Sequence, residues 1–258
     1  MRISLFMLNF VLTVSGLFCQ NFSDVQINEE KHFFNEADKI RFLQLPQAVL
    51  PDFLKNRDLP SIINNDSLPY FRPVFNQSGS SCGQSAGVGY NFTYEINRAR
   101  QLPADTNINQ YPTHFVYNFM SGGSGYFGVD YMHSFEILRT LGTPNVAEFG
   151  GMSNDGETWI SGYDFYYSAM KNRIREVRNI RVDNPEGLLT LKHWLVNHLE
   201  GAATGGIANF NAGSPWNLSS LPPGSPEAGK KVIANFAQTY ATHAMTIVGY
   251  NDSIRYDY

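Results

Sequence analysis

Cys82 and His243 are the residues in this chain whose types and settings suit covalent acyl chemistry. Cys82 closes a polar Gly/Ser-rich loop within Asn76–Glu95, NQSGSSCGQSAGVGYNFTYE, and small and aromatic residues at helical spacing follow it at once. The pattern predicts a thiol on the first turn of a buried helix, where unpaired N–H groups and the positive dipole end favour an anion. Such a setting lowers a thiol's pKa, and the thiolate is the form that attacks carbonyls. Gln77 lies upstream in the same loop, where its side-chain amide can donate to an oxyanion beside a helix-terminal N–H. His243 stands in Thr242–Tyr250, THAMTIVGY, on the lip of an apolar run. Together these residues outline a cysteine–histidine acyl-transfer site. Each also has a plainer reading: Cys82 as a buried, inert small hydrophobe, and His243 as a hydrogen-bonded histidine at a strand end.

The cysteine count bears on the first of these. The chain holds two cysteines, Cys19 and Cys82. Arg2 precedes an apolar stretch, Ile3 to Phe18, broken by Asn9, Thr13 and Ser15 and followed by Cys19-Gln20. That is the layout of a secretory signal peptide over residues 1–20. Leu17-Phe18 is bulky for a lipoprotein cysteine signal, so plain export is the expectation, to a secreted, cell-surface or periplasmic location. Cleavage near Gln20 leaves Cys82 without a partner in an oxidising compartment, which points to a reactive or intermolecularly pairing thiol.

With 258 residues, 43% hydrophobic, 14% aromatic and 16% charged, the chain can bury a real core in one large domain or two small ones. A formal charge of -4 with no basic run argues against nucleic acid as a partner. No stretch after the N-terminal one reads as a membrane span, and there is no internal repeat.

The elements that must position Cys82 and His243 follow from periodicity and punctuation. Residues 21–68 read as an N-terminal extension laid over the domain, with one short helix at Asn35–Leu43 and Leu-Pro signals at Leu45-Pro46, Leu50-Pro51 and Leu59-Pro60. Cys82–Arg100 is a long helix whose early turns carry Gly83, Ala86, Gly87 and Gly89, a costly composition that makes sense where something packs close to the backbone. A short helix follows Pro112. Asp130 is an N-cap for Tyr131–Leu141, which carries Met132, Phe135, Leu138 and Leu141 on one face and is stopped by Gly142 and Pro144. Asp164–Arg178 reads as helical with a basic tail. Glu186–Leu199 is amphipathic along Leu188, Leu191, Leu195 and Leu199, with Pro185 as its start signal. Gly205–Phe210, Lys231–Phe236 and Ala244–Tyr250 read as strands, Gly213–Gly229 as a loop, and Asn251-Asp252-Ser253 as a turn. Helices first and strands last give an α+β chain of two subdomains. The pattern stops mid-strand at Tyr258, so a chain incomplete at its C-terminus is expected.

Other candidates are weaker. His193 and His198 are five apart on a helix, off metal-ligand spacing, and read as surface groups. His114 and His133 sit among aromatics as core or cleft-wall residues, and His32 carries no signal. No metal cluster and no cofactor site are expected. Gly122-Gly123-Ser124-Gly125 lacks the strand–loop–helix frame and lysine of a phosphate loop and reads as a substrate-edge loop.

Four ordered stretches resemble the papain-like cysteine peptidases over about Leu68 to the end. Pro73–Gln77 with Ser-Cys-Gly resembles the Gln-containing loop before the nucleophile helix. Gly122–Gly142 resembles the Gly-Gly segment and its helix, Leu191–Phe210 the helix and strand before the catalytic histidine, and Thr242–Tyr250 that histidine with its strand. The resemblance implies a papain-like domain over residues 69–258, with a helical N-terminal lobe, an antiparallel β C-terminal lobe and the cleft between them. It implies hydrolysis of a peptide or protein substrate through a thioester. Gln77 would support the oxyanion, His243 would be the base, and Gly122 and Gly123 would offer backbone groups to an extended substrate. Two registers fit the nucleophile helix. Aligned by Cys-Gly, Cys82 takes the place of the family's disulfide-bonded cysteine and Ser85 that of the nucleophile, with Glu95 where the family helix often has a glutamate; the domain would then be an inactive binding or surface module. With the loop one residue shorter, Cys82 is itself the nucleophile. The orienting asparagine has no match after Tyr250, since Asn251 falls in the turn, and is expected beyond Tyr258.

Overall fold

A computed structural model describes residues 36–121, 127–152, 159–212, 217–235 and 242–254. In chain order its elements begin with helix α1 (Glu36–Gln44) and the short strand β1 (Ile62–Asn64). The helix that opens at Cys82 then runs in three contiguous parts: α2 (Cys82–Gln84), a wide π segment (Ser85–Phe92) and α3 (Thr93–Arg100). After these come α4 (Thr113–Asn118), α5 (Tyr131–Thr140), α6 (Val146–Phe149), α7 (Tyr163–Ala169) and α8 (Pro185–Asn197). Strands β2 (Ala208–Ala212), β3 (Asn217–Ser220), β4 (Lys231–Asn235), β5 (His243–Ile247) and β6 (Gly249–Asn251) follow. The strands pair as three antiparallel ribbons, β1 with β6, β2 with β5 and β3 with β4. The architecture is α+β.

The helix starts follow from their caps. Asp130 accepts the Met132 N–H at 2.6 Å and opens α5, and Asn184 accepts the Gly187 N–H at 2.8 Å ahead of Pro185. Each satisfies a donor that the first helical turn leaves free. Gly142, at φ +76°, ends α5 in the left-handed region where glycine carries no steric penalty. The π segment is the centre of the core. Its Val88 and Phe92 pack with Phe115, Val116, Met120, Ile137, Leu138 and Phe149 from α4, α5 and α6 and their ends. The expected close approach to its glycines is present: a Cβ on Gly87 would stand 2.7 Å from the Tyr131 Cβ, and one on Gly89 would stand 2.7 Å from the Phe75 ring.

Several expectations are corrected. The helix read over Asp164–Arg178 ends at Ala169: Asn172 closes a turn onto the Ala169 carbonyl, and Ile174 and Asn179 then spend their N–H groups on the Leu138 and Pro46 carbonyls. The leucine stripe of α8 is only partly its buried face: Leu195 is buried, and Leu191 and Leu199 are half-buried. Leu188 is 51% exposed, whereas Gly187, Thr190, His193, Leu195 and Asn197 are buried. His193 is therefore no surface group, and neither is His198, whose Nε2 meets the Glu95 Oε2 at 2.8 Å. The Gly213–Gly229 loop contains β3, and Asn251 belongs to β6, paired with Ile62, rather than to the turn.

Gly87→Ala forces a methyl into the Tyr131 contact, so a loss of ~1–3 kcal/mol is expected from overpacking. Urea denaturation measures it, and an unchanged midpoint would show that α5 does not press on this backbone.

Candidate active site

The loop before Cys82 is drawn together by its own hydroxyls. Ser81 Oγ donates to the Ser78 carbonyl at 2.8 Å, and the Ser85 N–H donates to the Ser81 carbonyl at 2.8 Å as the helix begins. Cys82 is thus the first helical residue, and its sulfur lies where backbone N–H groups are unspent. It is 7% exposed and is a free cysteine. Around it pack Ala86 from the π segment, Tyr131 and Met132 from α5, and Ala244 from β5, with Phe42 and Leu45 from the N-terminal extension over them.

Ala244 immediately follows His243, so the fold brings the strand that carries the imidazole against the helix that carries the thiol. The approach is made by one face of the β2–β5 ribbon. Asn211 pairs with Ala244 and Asn209 with Thr246, and the Thr246 hydroxyl meets the Ala86 carbonyl at 3.5 Å and the Asn209 Oδ1 at 3.3 Å. His243 pairs with Ala212 at the end of the ribbon and is half-buried.

The electrostatics of the thiol are a contest. Burial pushes the Cys82 thiol above its ordinary range, while the backbone N–H groups of Ala244, Gly83 and Cys82 itself pull the other way and the Asp130 charge adds to the rise. In this conformation the dipole end of the helix does not lower the thiol, contrary to the sequence expectation, because desolvation outweighs it. Burial also lowers the His243 imidazole, which keeps it neutral and able to accept a proton.

The remaining sequence candidates fall as follows. Gln77 is exposed, and its amide donates to the Gly79 carbonyl at 3.2 Å within its own loop. Ser85 lies one turn up the helix from Cys82, and its buried hydroxyl finds no hydrogen-bond partner among the described residues. Gly122 and Gly123 lie outside the described residues. Among the described residues no group of three or more His, Cys, Asp or Glu could hold a metal ion, and no helix is long and apolar enough to cross a membrane.

Asp130 is the residue that sequence reasoning saw only as a cap. It is 2% exposed, accepts the Asn211 amide at 3.2 Å through its second oxygen, and lies close enough to Cys82 to act on the thiol. An acidic N-cap is common, so nothing in its own neighbourhood of sequence marked it as a neighbour of the site. Burial raises its carboxyl to about 7.

No protein-family model matches the chain, and no curated protein matches it. Among solved structures the chain is similar to the crystal structure of xylellain, a cysteine protease from Xylella fastidiosa. The identity is 14%, over 83% of this chain and 78% of that one, with a TM-score of 0.46.

The raised carboxyl gives a pH prediction. In the unfolded chain Asp130 ionises near its ordinary 3.8, but in the folded protein it holds its proton up to about 7. The stability it allows is complete below the first value and is lost as pH rises to the second. Asp130→Asn, neutral at every pH, keeps the cap and removes that loss. Its advantage over the parent is expected to grow from about pH 4 to about pH 7 and then level off, with a ceiling of ~4 kcal/mol at ~1.4 kcal/mol per unit. Denaturation at a series of pH values measures it, and a pH-independent difference would overturn the assignment.

Proposed function

We propose that this chain is an exported cysteine peptidase of papain-like, two-lobed kind, with Cys82 as nucleophile and His243 as base. The observation that carries the reading is the meeting of Cys82, first residue of its helix, with the backbone N–H of Ala244, the residue after His243. Ser85, one turn on, has no unspent helix-terminal N–H groups around it, which favours the register with Cys82 as nucleophile.

The chemistry is acyl transfer to a peptide substrate. His243 takes the thiol proton as the sulfur attacks the scissile carbonyl, then gives it to the leaving amine as the C–N bond breaks. Water, deprotonated by the same imidazole, hydrolyses the thioester and frees Cys82. The Cys82 backbone N–H and, after its loop turns inward, the Gln77 amide stabilise the tetrahedral oxyanion. Gly122 and Gly123 hold the extended substrate by their backbone. The buried thiol under Phe42 and Leu45 marks a latent conformation, from which α1 must move before a substrate enters.

One observation favours a second reading. A thiol that burial holds protonated suits an inactive papain-like domain that uses the same face as a binding or surface module.

Alkylation of the full chain by iodoacetamide, with peptide mapping of Cys82, separates the two. Labelling is expected to fall at least ~10-fold in His243→Ala and to rise when Phe42→Ala and Leu45→Ala loosen the cover. Slow labelling that ignores His243 identifies the binding module. For peptide hydrolysis, Cys82→Ser is expected to cost at least ~1,000-fold while Ser85→Ala retains activity. The reverse pattern would transfer the nucleophile to Ser85.

A further inference from the structure

Asp130 makes two contacts that belong to different parts of the fold. Its Oδ1 caps α5 through the Met132 N–H at 2.6 Å, and its Oδ2 holds the Asn211 amide of β2 at 3.2 Å. Asn211 is the register partner of Ala244, so this carboxylate is tied through one cross-strand pair to the strand that bears His243. The residues next to it in sequence, Tyr131 and Met132, pack in one cluster with Cys82 and Ala244. A cap alone needs no burial, yet Asp130 is almost wholly enclosed, in a position where a charge acts strongly on its neighbours.

We infer that Asp130 is a positioning residue of the Cys82 site: it fixes the β2–β5 ribbon against the start of α5, so setting the approach of His243, and it supplies the charge that the Cys82 thiolate must face. The inference rests on the peptidase reading for its role in catalysis; its effect on the thiol rests on its place beside Tyr131 and Met132, which pack with Cys82, and on the charge that acts from there.

The charged and titratable groups around Asp130 come from every side. From α1 come Asp38, whose charge opposes ionisation of Asp130, and Arg41, which favours it. Arg41 is paired with Asp38 at 3.2 Å and touches His133 of α5. Cys82 lies on α2 and Tyr131 on α5, and Tyr117 of α4 lies near enough to feel the Cys82 charge. On the ribbon the adjoining groups are the neutral Asn211 amide and, one residue from Ala244, the His243 imidazole. Arg41 is engaged with Asp38, so in this conformation Asp130 faces the thiol with its charge only partly offset.

Two substitutions take the roles apart. Asp130→Asn keeps an N-cap of equal quality and removes the charge; its Nδ2 then faces Asn211, whose amide turns over so that its Oδ1 accepts. Asn211→Ala keeps the charge and the cap but cuts the tie to β2. Each is made in the full chain, and the rate of Cys82 alkylation by iodoacetamide is followed against pH by peptide mapping. With Asp130→Asn the midpoint of the rate profile is expected to move to lower pH by at least half a unit, about threefold in thiolate at a fixed pH below it. With Asn211→Ala no downward shift is expected, and the kcat for peptide hydrolysis falls more than the KM changes. A midpoint that Asp130→Asn leaves in place overturns the inference, as does an Asn211→Ala variant with unaltered kcat. His243→Ala is the separate control: if it leaves wild-type labelling unchanged, the peptidase reading fails, whatever Asp130 does to the midpoint.

Discussion

The structure depends on how the far end of the central helix is bolted to the entrance of β2. Glu95 accepts the Ile207 N–H at 3.2 Å through one oxygen, and through the other meets His198 Nε2 at 2.8 Å and Arg98 Nε at 3.3 Å. The Tyr94 hydroxyl donates to the Gly205 carbonyl at 2.8 Å, and the Asn91 amide and the Trp194 indole both donate to the Ile207 carbonyl. Hydrogen bonds to an ionised acceptor contribute about 1.5–3 kcal/mol each, and leaving such a group unpaired inside the protein costs more. The backbone has to come very close for this to work. A Cβ on Gly206 would stand 2.5 Å from the Trp194 ring, and one on Gly205 would collide with the Leu195 carbonyl. Once Ile207 is fixed to the helix, β2 leaves in one direction only. Its partner β5 then lies across the helix start, where Cys82 is.

The N-terminal extension is part of the same object. Asn179 is held by it, donating its amide to the Phe42 and Leu45 carbonyls while its backbone pairs with Pro46 and Ala48. Asn65, from the turn after β1, gives both amide hydrogens to the Leu195 and Gly206 carbonyls, reaching the bolted region from the other side. This segment therefore both packs against the Cys82 cluster and helps to hold the helix–strand junction that presents it. Its removal as a whole would leave the Asn179 amide and the Leu195 and Gly206 carbonyls without these partners, and each such group left buried and unpaired costs about 1–3 kcal/mol.

What the sequence disclosed depends on how local each determinant is. The helix from Cys82 to Arg100 and the one opened by Asp130 were legible because a polar loop, a cap and an apolar spacing lie within a few residues of each other. The π geometry of Ser85–Phe92 was not, since the glycines that permit it are explained only by Tyr131 and Phe75, which are remote in sequence. The buried face of α8 escaped because its neighbours are polar. His193 pairs with Asn197 at 3.2 Å and Gly187 passes against the Arg181 carbonyl, so the periodicity of the leucines found Leu195 but missed the polar residues buried beside it. Strand β1 is too short to carry an alternation, and its partner lies almost at the other end of the chain. At the site, the place of Cys82 at the start of its helix was legible from the polar loop that ends there. The burial that holds the thiol protonated was not, because it comes from α1 and α5 together.

The β1–β6 ribbon has a consequence for how the molecule is made. Ile62 pairs with Asn251 and Ile63 with Tyr250, so a segment that leaves the ribosome early has its partner only after nearly all of the intervening chain has been synthesised. Long-range pairing of this kind pays its loop-closure entropy late and slows folding. During synthesis the helical part can collapse around Val88 and Phe92 while β1 still waits with an open edge. A holding factor would be of most use to this protein in that interval.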